Sequence, residues 1–467
     1  MRTLCAVLPY SRAVNRRVIC AVIALAPAHA HADGISVVGG SPRAIGRAGA
    51  ATVGDDGGGA LLINPAAMAR RDTARGQIGI AVVDDALDWQ SDTDSSPLSK
   101  GQSSAQLAPL GAAIGALGDW VLGAGMMTTG VSQRAMPEPG HATAGLTLYY
   151  DYRYAGITGA YRRDTIAIGA ARKLGDSLAL GLSLGASQVR VTEQRRIWAG
   201  FGGRDSIGGF GEDVDLVLHG TDRFCASAVA GVLYAPGNAQ IELGASVAWA
   251  DTVNVDGSLS ADNSSPRGPM ITYPFAPRSS LKVRQPLAVR AGSRYVGDRL
   301  VAELDGDLWL APSGADSATW WVHGVRVTDP SGLPADLRTI PSRISQRTHV
   351  ALHTAVDVEL IPGFLWATGG YAYANRGTPA GRLSPSFGDL GGHTLGLGLE
   401  TTAGGFTVTL GWSRTWLLKT NAPSVLQLDN PFAAGDGPVQ SGTYGGSLDQ
   451  VGILVEAELS QGELSSK

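Results

Sequence analysis

Along most of this chain, apolar residues alternate with small or polar residues, one position at a time. From Leu178 to Leu184, leucine occupies every second position, and alanine, glycine and serine fill the positions between. The segments Ile241 to Trp249 and Thr394 to Glu400 repeat this design. Side chains of a β-strand point alternately to opposite faces, so each segment is predicted to be a strand with one apolar face.

The same pattern recurs along the chain and predicts about fourteen strands, an even number that is typical of single-chain bacterial barrels. Short turns such as Gly118-Asp119 alternate with long connections such as 191–220 and 312–346, as in transmembrane barrels. We therefore predict an all-β protein, a transmembrane antiparallel β-barrel. The predicted strands lie near residues 76–83, 105–117, 119–129, 164–172, 178–190, 221–235, 241–252, 284–296, 300–311, 347–360, 364–375, 392–402, 406–418 and 449–460.

The composition agrees with a barrel in a membrane. Hydrophobic residues make up 44% of the chain, charged residues only 17%, and 64 of the 467 residues are glycine. No run of apolar residues is long enough for a transmembrane helix, which needs about 20. Leucine-rich strand faces would be unfavourable in water, whereas in a bilayer they contact lipid and a closed barrel satisfies every backbone group. The net charge of −4 argues against a nucleic-acid partner.

The N-terminus has the features of a secretory signal peptide. Basic residues between Arg12 and Arg17 precede the apolar run Val18 to Ala26, and Ala30-His31-Ala32 fits a cleavage site. Residues 1–32 are therefore predicted to be removed on export. Cleavage leaves Cys225 as the single cysteine, so no internal disulfide is expected.

The stretch Gly54 to Met68 lacks the alternation and carries no catalytic group. It contains the acidic pair and glycine Asp55-Asp56-Gly57, the apolar run Leu61 to Ile63 and the turn Asn64-Pro65-Ala66. With the glycine- and alanine-rich lead Gly46 to Ala51, it resembles the N-terminal hatch, or plug, of the FadL family. That family consists of outer-membrane barrels that take up long-chain fatty acids and other hydrophobic compounds.

The resemblance extends along the barrel, through fragments such as Gly231 to Pro236 and Leu383 to Asp389. It implies a hatch over residues 33–72, inside the lumen of a barrel with long extracellular loops over residues 73–467. A physical argument supports this division, because fourteen strands enclose more space than their own side chains fill. A glycine-rich segment without a core of its own needs such a space.

The resemblance also implies passive uptake of hydrophobic compounds, with long-chain fatty acids as the expected substrate. By the same resemblance, ligand is expected to be captured by the loops and, once the hatch moves, to leave sideways at an inward kink of the third strand. Glycine is compatible with a kink, and the matching strand contains Gly123 and Gly125. Apolar residues in otherwise polar loops form the expected capture groove: Trp198, Phe201, Phe210, Tyr273 and Phe275.

The expected location is the bacterial outer membrane, and the expected state is a monomer. The expected partners are a hydrophobic small molecule, outer-membrane lipid and lipopolysaccharide, and the outer-membrane assembly machinery. Two alternatives stay open at this point. The chain could be a general outer-membrane porin, or a channel for aromatic hydrocarbons.

Two patterns that suggest chemistry have simpler explanations. Gly181 to Gly185 matches the G-x-S-x-G motif of hydrolases, but Ser183 lies within an alternating strand and a nucleophile elbow needs a strand-to-helix turn. His349 and His353 would be about 13 Å apart on a strand, too far to share a metal ion. We therefore predict no catalytic residue, no metal and no cofactor, and a protein that is not an enzyme.

A row of carboxylates is expected to face the lumen. Glu303, Asp305 and Asp307 lie on one face of a predicted strand, and Arg290 and Arg294 lie on the strand before it. Because hairpin strands pair side by side, we expect these charges to neutralise one another inside a wet barrel.

Overall fold

Fourteen long strands account for most of the architecture. The computed structural model describes residues 40–92, 98–137, 141–143, 146–148, 151–199, 213–237, 239–263, 268–329, 331–422, 426–427, 432, 438–439 and 441–459. The predicted signal peptide lies outside these residues. The long strands are β1 (Arg75–Ser91), β2 (Gln106–Leu117), β3 (Trp120–Ala135), β4 (Thr158–Leu174), β5 (Leu178–Trp198), β6 (Asp213–Tyr234), β7 (Ile241–Ala250), β8 (Leu287–Val296), β9 (Leu300–Leu310), β10 (His349–Ile361), β11 (Leu365–Ala374), β12 (Gly392–Ala403), β13 (Phe406–Leu417) and β14 (Gly442–Glu458).

The strands form a closed barrel. Each strand pairs in antiparallel fashion with its neighbours in the chain, and β14 pairs with β1 from Arg75 opposite Glu458 to Ser91 opposite Gly442. Closure joins the first strand to the last, so the barrel satisfies most of its backbone hydrogen bonds internally. The predicted fold class, an antiparallel barrel of 14 strands, is confirmed.

The two faces of each strand differ as the alternation predicts. On β5, Leu182 points outwards and is 53% exposed, whereas its neighbour Ser183 points inwards and is 2% exposed. Exposed residues such as Ile78 on β1 and Leu397 on β12 extend this apolar belt around the barrel. A belt of this kind is stable in contact with lipid, so the strands are those of a transmembrane barrel.

Connections are short at one end of the barrel and long at the other. The turn between β2 and β3 is closed by Gly118, whose φ of 60° is in the left-handed region.

Several connections predicted as loops contain short strands, which is a correction to the expected organisation. No helix in the described part of the chain is long and apolar enough to cross a membrane. We call the strands in these connections the short strands, since all but Val253–Asn263 span six residues or fewer. They are Ser99–Lys100, Gln102–Ser103, His141–Thr143, Leu146–Leu148, Val253–Asn263, Met270–Thr272, Arg278–Val283, Thr319–His323, Arg326–Thr328, Pro334–Asp336, Thr339–Pro341, Thr420–Ala422, Leu426–Gln427 and Pro438–Val439, and two 3₁₀-helices span Asp151–Tyr154 and Ala380–Arg382.

A hydrophobic core lies in the long-loop end, beyond the lipid-facing belt. It joins Leu216 and Leu218 of β6 to Val255, Leu281 and Trp320 of the short strands. The barrel wall therefore continues into a packed structure above the belt.

The strands are longer than predicted at this end. β4 begins at Thr158 rather than near 164, β6 at Asp213 rather than near 221, and β14 at Gly442 rather than near 449. Beyond the belt the strands no longer face lipid, and the apolar residues Val214, Leu216 and Leu218 of β6 are buried in the core of this end instead, so the pattern of a lipid-facing strand does not extend there.

Arginine at the middle of the belt is expected to destabilise the barrel more than arginine at its end. Leu182→Arg should lower the free energy of unfolding by about 2–4 kcal/mol, because it places a charge near the bilayer midplane. Leu178→Arg, at the first residue of the same strand, should cost at most about 1 kcal/mol. Denaturant unfolding in lipid vesicles measures both. Equal losses of unfolding free energy in the two variants would contradict the conclusion that the apolar belt contacts lipid.

Candidate functional site

Residues 40–72 lie inside the barrel, and we refer to them as the plug. They form a short helix, α1 (Pro42–Gly46), and two 3₁₀-helices, Gly58–Leu61 and Pro65–Arg70. Ser41 begins α1, because its Oγ accepts a hydrogen bond from the Ala44 amide at 3.2 Å. The rest of the plug is irregular backbone, which needs polar partners from the surrounding wall.

The Asn64-Pro65-Ala66 turn joins the plug to the wall. Asn64 is fully buried, and its Oδ1 accepts a hydrogen bond from the Ala66 amide at 3.2 Å, which caps the helix that Pro65 begins. Its Nδ2 donates to the Thr52 carbonyl at 2.9 Å and to the Val232 carbonyl of β6 at 3.2 Å. One side chain thus starts a helix, closes a loop of the plug and contacts the barrel.

The acidic pair has two separate roles. Asp55 accepts hydrogen bonds from the Ser41 hydroxyl and the Gly57 amide, both at 3.0 Å, and burial raises the pKa of its carboxyl. Burial also acts on Asp56, but Arg71 at 2.8 Å, together with Arg43, outweighs it and holds the Asp56 pKa below its usual value. The ion pairs of Asp56 therefore stabilise the plug at neutral pH, and this contribution is lost as the pH falls through the lowered pKa.

Glycines on the inner wall allow the plug backbone to approach the strands closely. On each of ten strands there is a glycine at which an added Cβ would lie within 3.1 Å of a plug atom. A larger side chain at any of them would overlap the plug. The ten are Gly123, Gly169, Gly181, Gly231, Gly244, Gly292, Gly370, Gly396, Gly411 and Gly452.

The other four strands contact the plug through larger side chains. Gln77 of β1 accepts a hydrogen bond from the Gly58 amide at 2.7 Å, and Ala112 of β2 packs against the same glycine. On β10, His353 donates from Nδ1 to the Ala48 carbonyl at 2.8 Å. The fourth of these strands, β9, binds the plug through two carboxylates. All fourteen strands therefore contact the plug.

Two carboxylates of β9 bind the plug backbone directly. Asp305 accepts from the amides of Ala51 and Thr52, both at 2.8 Å. Glu303 accepts from the amides of Val53 and Gly54, at 2.8 and 2.9 Å. Four successive backbone amides of the plug are thus satisfied by two buried carboxylates. The sequence indicates this acidic row but not the plug backbone as its partner.

Each arginine of the plug pairs with a carboxylate of the wall. Arg47 pairs with Glu303 and with Asp357, the latter at 2.6 Å, and the other pairs are Arg43 with Glu400 at 2.8 Å, Arg70 with Glu242 at 2.6 Å and Arg71 with Glu456 at 3.1 Å. The expected neutralisation of the row by Arg290 and Arg294 is therefore only partly correct. Arg290 does face Asp307, at 3.4 Å, but Arg294 pairs with Glu242.

A cavity of about 330 Å³ lies between the plug and the long-loop end. Plug residues Gly49, Thr52, Leu62 and Ile63 line one side of it. Apolar atoms form most of its exposed wall, and polar side chains from several strands form the rest. This combination is typical of small-molecule sites.

The wall beside this cavity is interrupted between β2 and β3. Pairing of these strands ends with Leu110 opposite Met127, and the β3–β4 register shifts between Thr128 and Gly130. Residues 128–133 of β3 therefore have no partner on β2 in the described structure. Thr129 and Gly130 line the cavity, so the cavity reaches the wall where its ladder is broken.

Side chains bridge the interruption. Arg162 of β4 donates from Nη1 to the Leu107 carbonyl of β2 at 2.9 Å, and Gln106 donates to Gln133 at 2.6 Å. Side-chain bonds thus replace part of the missing ladder.

The position of the interruption corrects the expected kink site. Gly123 and Gly125 are paired in regular register with both β2 and β4. Gly123 allows close packing of the plug instead, since a Cβ on this residue would lie 2.8 Å from Met68 Sδ. The irregularity lies farther along β3, at Thr128 to Gly130.

The predicted capture residues do not form one groove in the described structure. Trp198 ends β5 and is only 4% exposed, so it does not line an exposed groove. Phe201 and Phe210 lie outside the described residues. Tyr273 is exposed but its hydroxyl donates to the Ala261 carbonyl at 2.6 Å. Phe275 is 64% exposed and stacks on His323, whose strand also carries the exposed Trp321.

Ser183 has a packing role. Its Oγ donates to the Leu61 carbonyl of the plug at 2.5 Å. In the part of the chain that the structure describes, no group of three or more His, Cys, Asp or Glu side chains could hold a metal ion.

Comparison with solved structures identifies the fold. The chain superposes on a Pseudomonas aeruginosa FadL homologue with a TM-score of 0.71 and 13% identity, covering 91% of this chain and 100% of that chain. It superposes on the Pseudomonas putida toluene transporter TodX with a TM-score of 0.62 and 14% identity, covering 92% and 100%. For the Ralstonia pickettii toluene transporter TbuX the values are 0.61 and 13%, covering 90% and 98%.

Neither a scan against models of protein families nor a search of curated protein sequences finds a match. At identities this low, the structural comparison shows a shared fold. The resemblance to FadL-type barrels that the sequence suggested is confirmed at that level.

Adding one methyl group on the inner wall is expected to displace the plug. In Gly370→Ala, the new Cβ overlaps the Arg47 backbone, so the protein should lose about 1–3 kcal/mol of stability, as in other overpacked sites. The amides of Arg47 and Ala48 should also exchange faster with deuterium. Gly369→Ala is the matched control, since a Cβ there meets no atom within 4 Å. If both variants exchange alike, the plug does not depend on this contact.

Proposed function

We propose that this protein is an outer-membrane channel for passive uptake of hydrophobic compounds. The observation that carries the proposal is an apolar cavity that is closed on one side by the plug and reaches the wall where β2 and β3 separate. A closed lumen blocks a straight aqueous path, whereas a break in the wall offers an apolar solute a way into the membrane.

The proposed route begins at the long-loop end. Exposed apolar side chains such as Phe275 and Trp321 would bind a hydrophobic solute that is poorly soluble in water. The solute then enters the cavity and leaves sideways near Thr129 and Gly130. No energy source is involved, so net flow follows the concentration gradient and is maintained by consumption inside the cell.

Movement of the plug is proposed to begin at its cavity side. Ala48 has a φ of 49°, a conformation that costs energy for a residue with a side chain. His353, which lines the cavity, donates to the carbonyl of this residue. A solute that contacts His353 would therefore act on the strained backbone at Ala48 through a single hydrogen bond.

The substrate class is proposed more broadly than the sequence resemblance implies. The resemblance favours long-chain fatty acids, whereas two of the similar structures are described as toluene transporters. Both kinds of compound need the same apolar cavity. The same proposal includes export by a cleaved signal peptide, insertion by the assembly machinery and contact with lipopolysaccharide. It also includes function as a monomer and the absence of enzymatic activity.

A general porin is the alternative of another class. It would need an open aqueous lumen, and contact of the plug with all fourteen strands argues against one. Swelling of liposomes in small sugars separates the two functions, since a porin would admit the sugars and a plugged channel would not.

Uptake by whole cells tests the proposal. A strain without its own transporters, expressing this chain, should accumulate labelled oleate, toluene or both faster than the strain with an empty vector. Liposomes that contain the protein should not swell in small sugars. Rapid swelling without uptake of either compound would support the porin and refute the proposal.

Filling the cavity at the interruption should block uptake. Gly130→Trp places a large side chain where β3 meets the cavity, so most uptake should be lost while the barrel still assembles. Gly111→Trp on β2 is the control, because a Cβ at Gly111 meets no atom within 4 Å. Normal uptake by the Gly130 variant, measured beside this control, would argue against a sideways exit.

A further inference from the structure

One side of the cavity carries polar atoms that the fold leaves without partners. Nη1 of Arg290 and Nε2 of both His349 and His353 are buried and make no hydrogen bond within the described structure. All three residues line the cavity. Buried polar atoms are nearly always satisfied in native proteins, so unsatisfied atoms that border a cavity indicate a ligand or water.

Two of these residues meet at one carboxylate. Arg290 Nε lies 3.4 Å from Asp307 Oδ2, and His353 Nε2 lies 3.8 Å from the same oxygen. Neither contact is a good hydrogen bond. The group of Arg290, Asp307 and His353 therefore keeps capacity for hydrogen bonds to a third molecule, and we call it the polar cluster.

The hydrogen bond made by Nδ1 of His353 determines whether its Nε2 is a donor or an acceptor. Nδ1 of His353 faces the Ala48 carbonyl at 2.8 Å, and a carbonyl can only accept, so Nδ1 carries the proton. In the neutral ring, Nε2 is then an acceptor. His349 is arranged in the same way, because its Nδ1 faces the Arg347 carbonyl at 3.0 Å. The cluster thus offers a donor, Arg290 Nη1, beside the acceptors His353 and Asp307.

The charges of the cavity wall are already balanced. Its ionic side chains are two arginines, Arg163 and Arg290, and two aspartates, Asp307 and Asp389. A carboxylate ligand would add an uncompensated negative charge beside Asp307, and a plain hydrocarbon would leave the polar atoms unsatisfied. A neutral hydroxyl both accepts from Arg290 and donates to His353 or Asp307.

An aromatic surface adjoins the cluster. Trp309, which also lines the cavity, stacks on His349 with ring centroids 4.6 Å apart. Trp309 lies two residues after Asp307 on β9, so it shares the inward face of that strand. An apolar body can pack there while a hydroxyl reaches the polar cluster.

We infer that the cavity selects apolar compounds that carry a neutral hydroxyl group, such as alkylphenols, over the corresponding hydrocarbons and carboxylates. This inference rests on the proposed function and narrows its substrate class. The polar cluster distinguishes the three kinds of compound by their functional group, and the apolar walls bind the apolar body that all three share.

Three probes of one shape test the inference. The full-length mature chain in lipid nanodiscs is dialysed at pH 7.5 against 4-propylphenol, propylbenzene or 4-propylbenzoate, with empty nanodiscs as the baseline. The phenol should bind about tenfold more tightly than either analogue, a difference expected from one satisfied donor and acceptor pair. Similar affinities for all three would overturn the selectivity but leave the proposed function intact. Binding of none would overturn both.

Two substitutions in the cluster give opposite expectations. Arg290→Met should abolish the preference for the phenol over propylbenzene. Asp307→Asn keeps the shape but removes the negative charge, so 4-propylbenzoate should bind about tenfold more tightly than to the original chain. Failure of Asp307→Asn to improve benzoate binding would contradict the charge argument, whatever the behaviour of Arg290→Met.

Arg163 provides the matched control. It lines the same cavity, but its nitrogens already donate to Ser187 at 3.1 Å, Gln285 at 3.3 Å and Cys225 at 3.6 Å. Arg163→Met should therefore leave the ratio of phenol to propylbenzene binding unchanged. An equal loss of preference in this variant and in Arg290→Met would refute the assignment to the polar cluster. Heat-dependent mobility on gels confirms that each variant forms a barrel before binding is measured.

Discussion

Four backbone amides of the plug, from Ala51 to Gly54, donate hydrogen bonds to Glu303 and Asp305 of β9. An irregular backbone inside a barrel has no ladder of its own, so without these acceptors its amides would be buried and unsatisfied. Hydrogen bonds to charged groups contribute about 1.5–3 kcal/mol each. The carboxylates would likewise be costly to bury without the amides and Arg47. Plug and wall therefore depend on each other.

The same alternation serves two surroundings. Outward positions carry leucine and isoleucine because they contact lipid, and inward positions carry glycine because the plug must lie close to the wall. Gly181 between Leu180 and Leu182 shows both demands in three successive residues. Plug backbone packs directly on wall backbone at several of these glycines, and the cavity of about 330 Å³ lies on the long-loop side of the plug. The break in the β2–β3 ladder at the cavity is the place where the proposed route leaves the barrel.

The sequence predicts the barrel well because period-two alternation is a local signal. Leu178 to Leu184 can be recognised as a strand without knowledge of its neighbours. The strand ends at Thr158 and Asp213 could not be predicted, since above the belt the apolar residues of β6, such as Leu216 and Leu218, pack in a core with distant short strands instead of facing lipid. Trp198 was expected in an exposed groove, but β5 extends to this residue, pairs it with Asp213 of β6 and leaves it buried.

The site depends on contacts between distant parts of the chain, and these leave little local signal. Asn64 and Asp55 could be identified because the hatch motif is a continuous stretch. The partners of that stretch, Glu303 and Asp305, lie about 250 residues away, and nothing near them in sequence indicates a backbone as their ligand. The β3 irregularity at Thr128 to Gly130 is equally hidden, because glycine is common on the inner wall for packing reasons.

Conductance across a planar bilayer tests most directly whether the plug closes the lumen. The protein with its whole plug should show almost no steady ionic current. Deletion of Gly54 to Met68, which removes the capping asparagine and the amide of Gly54, should produce discrete and lasting conductance steps. The account is contradicted if the intact protein already conducts as freely as the deletion variant.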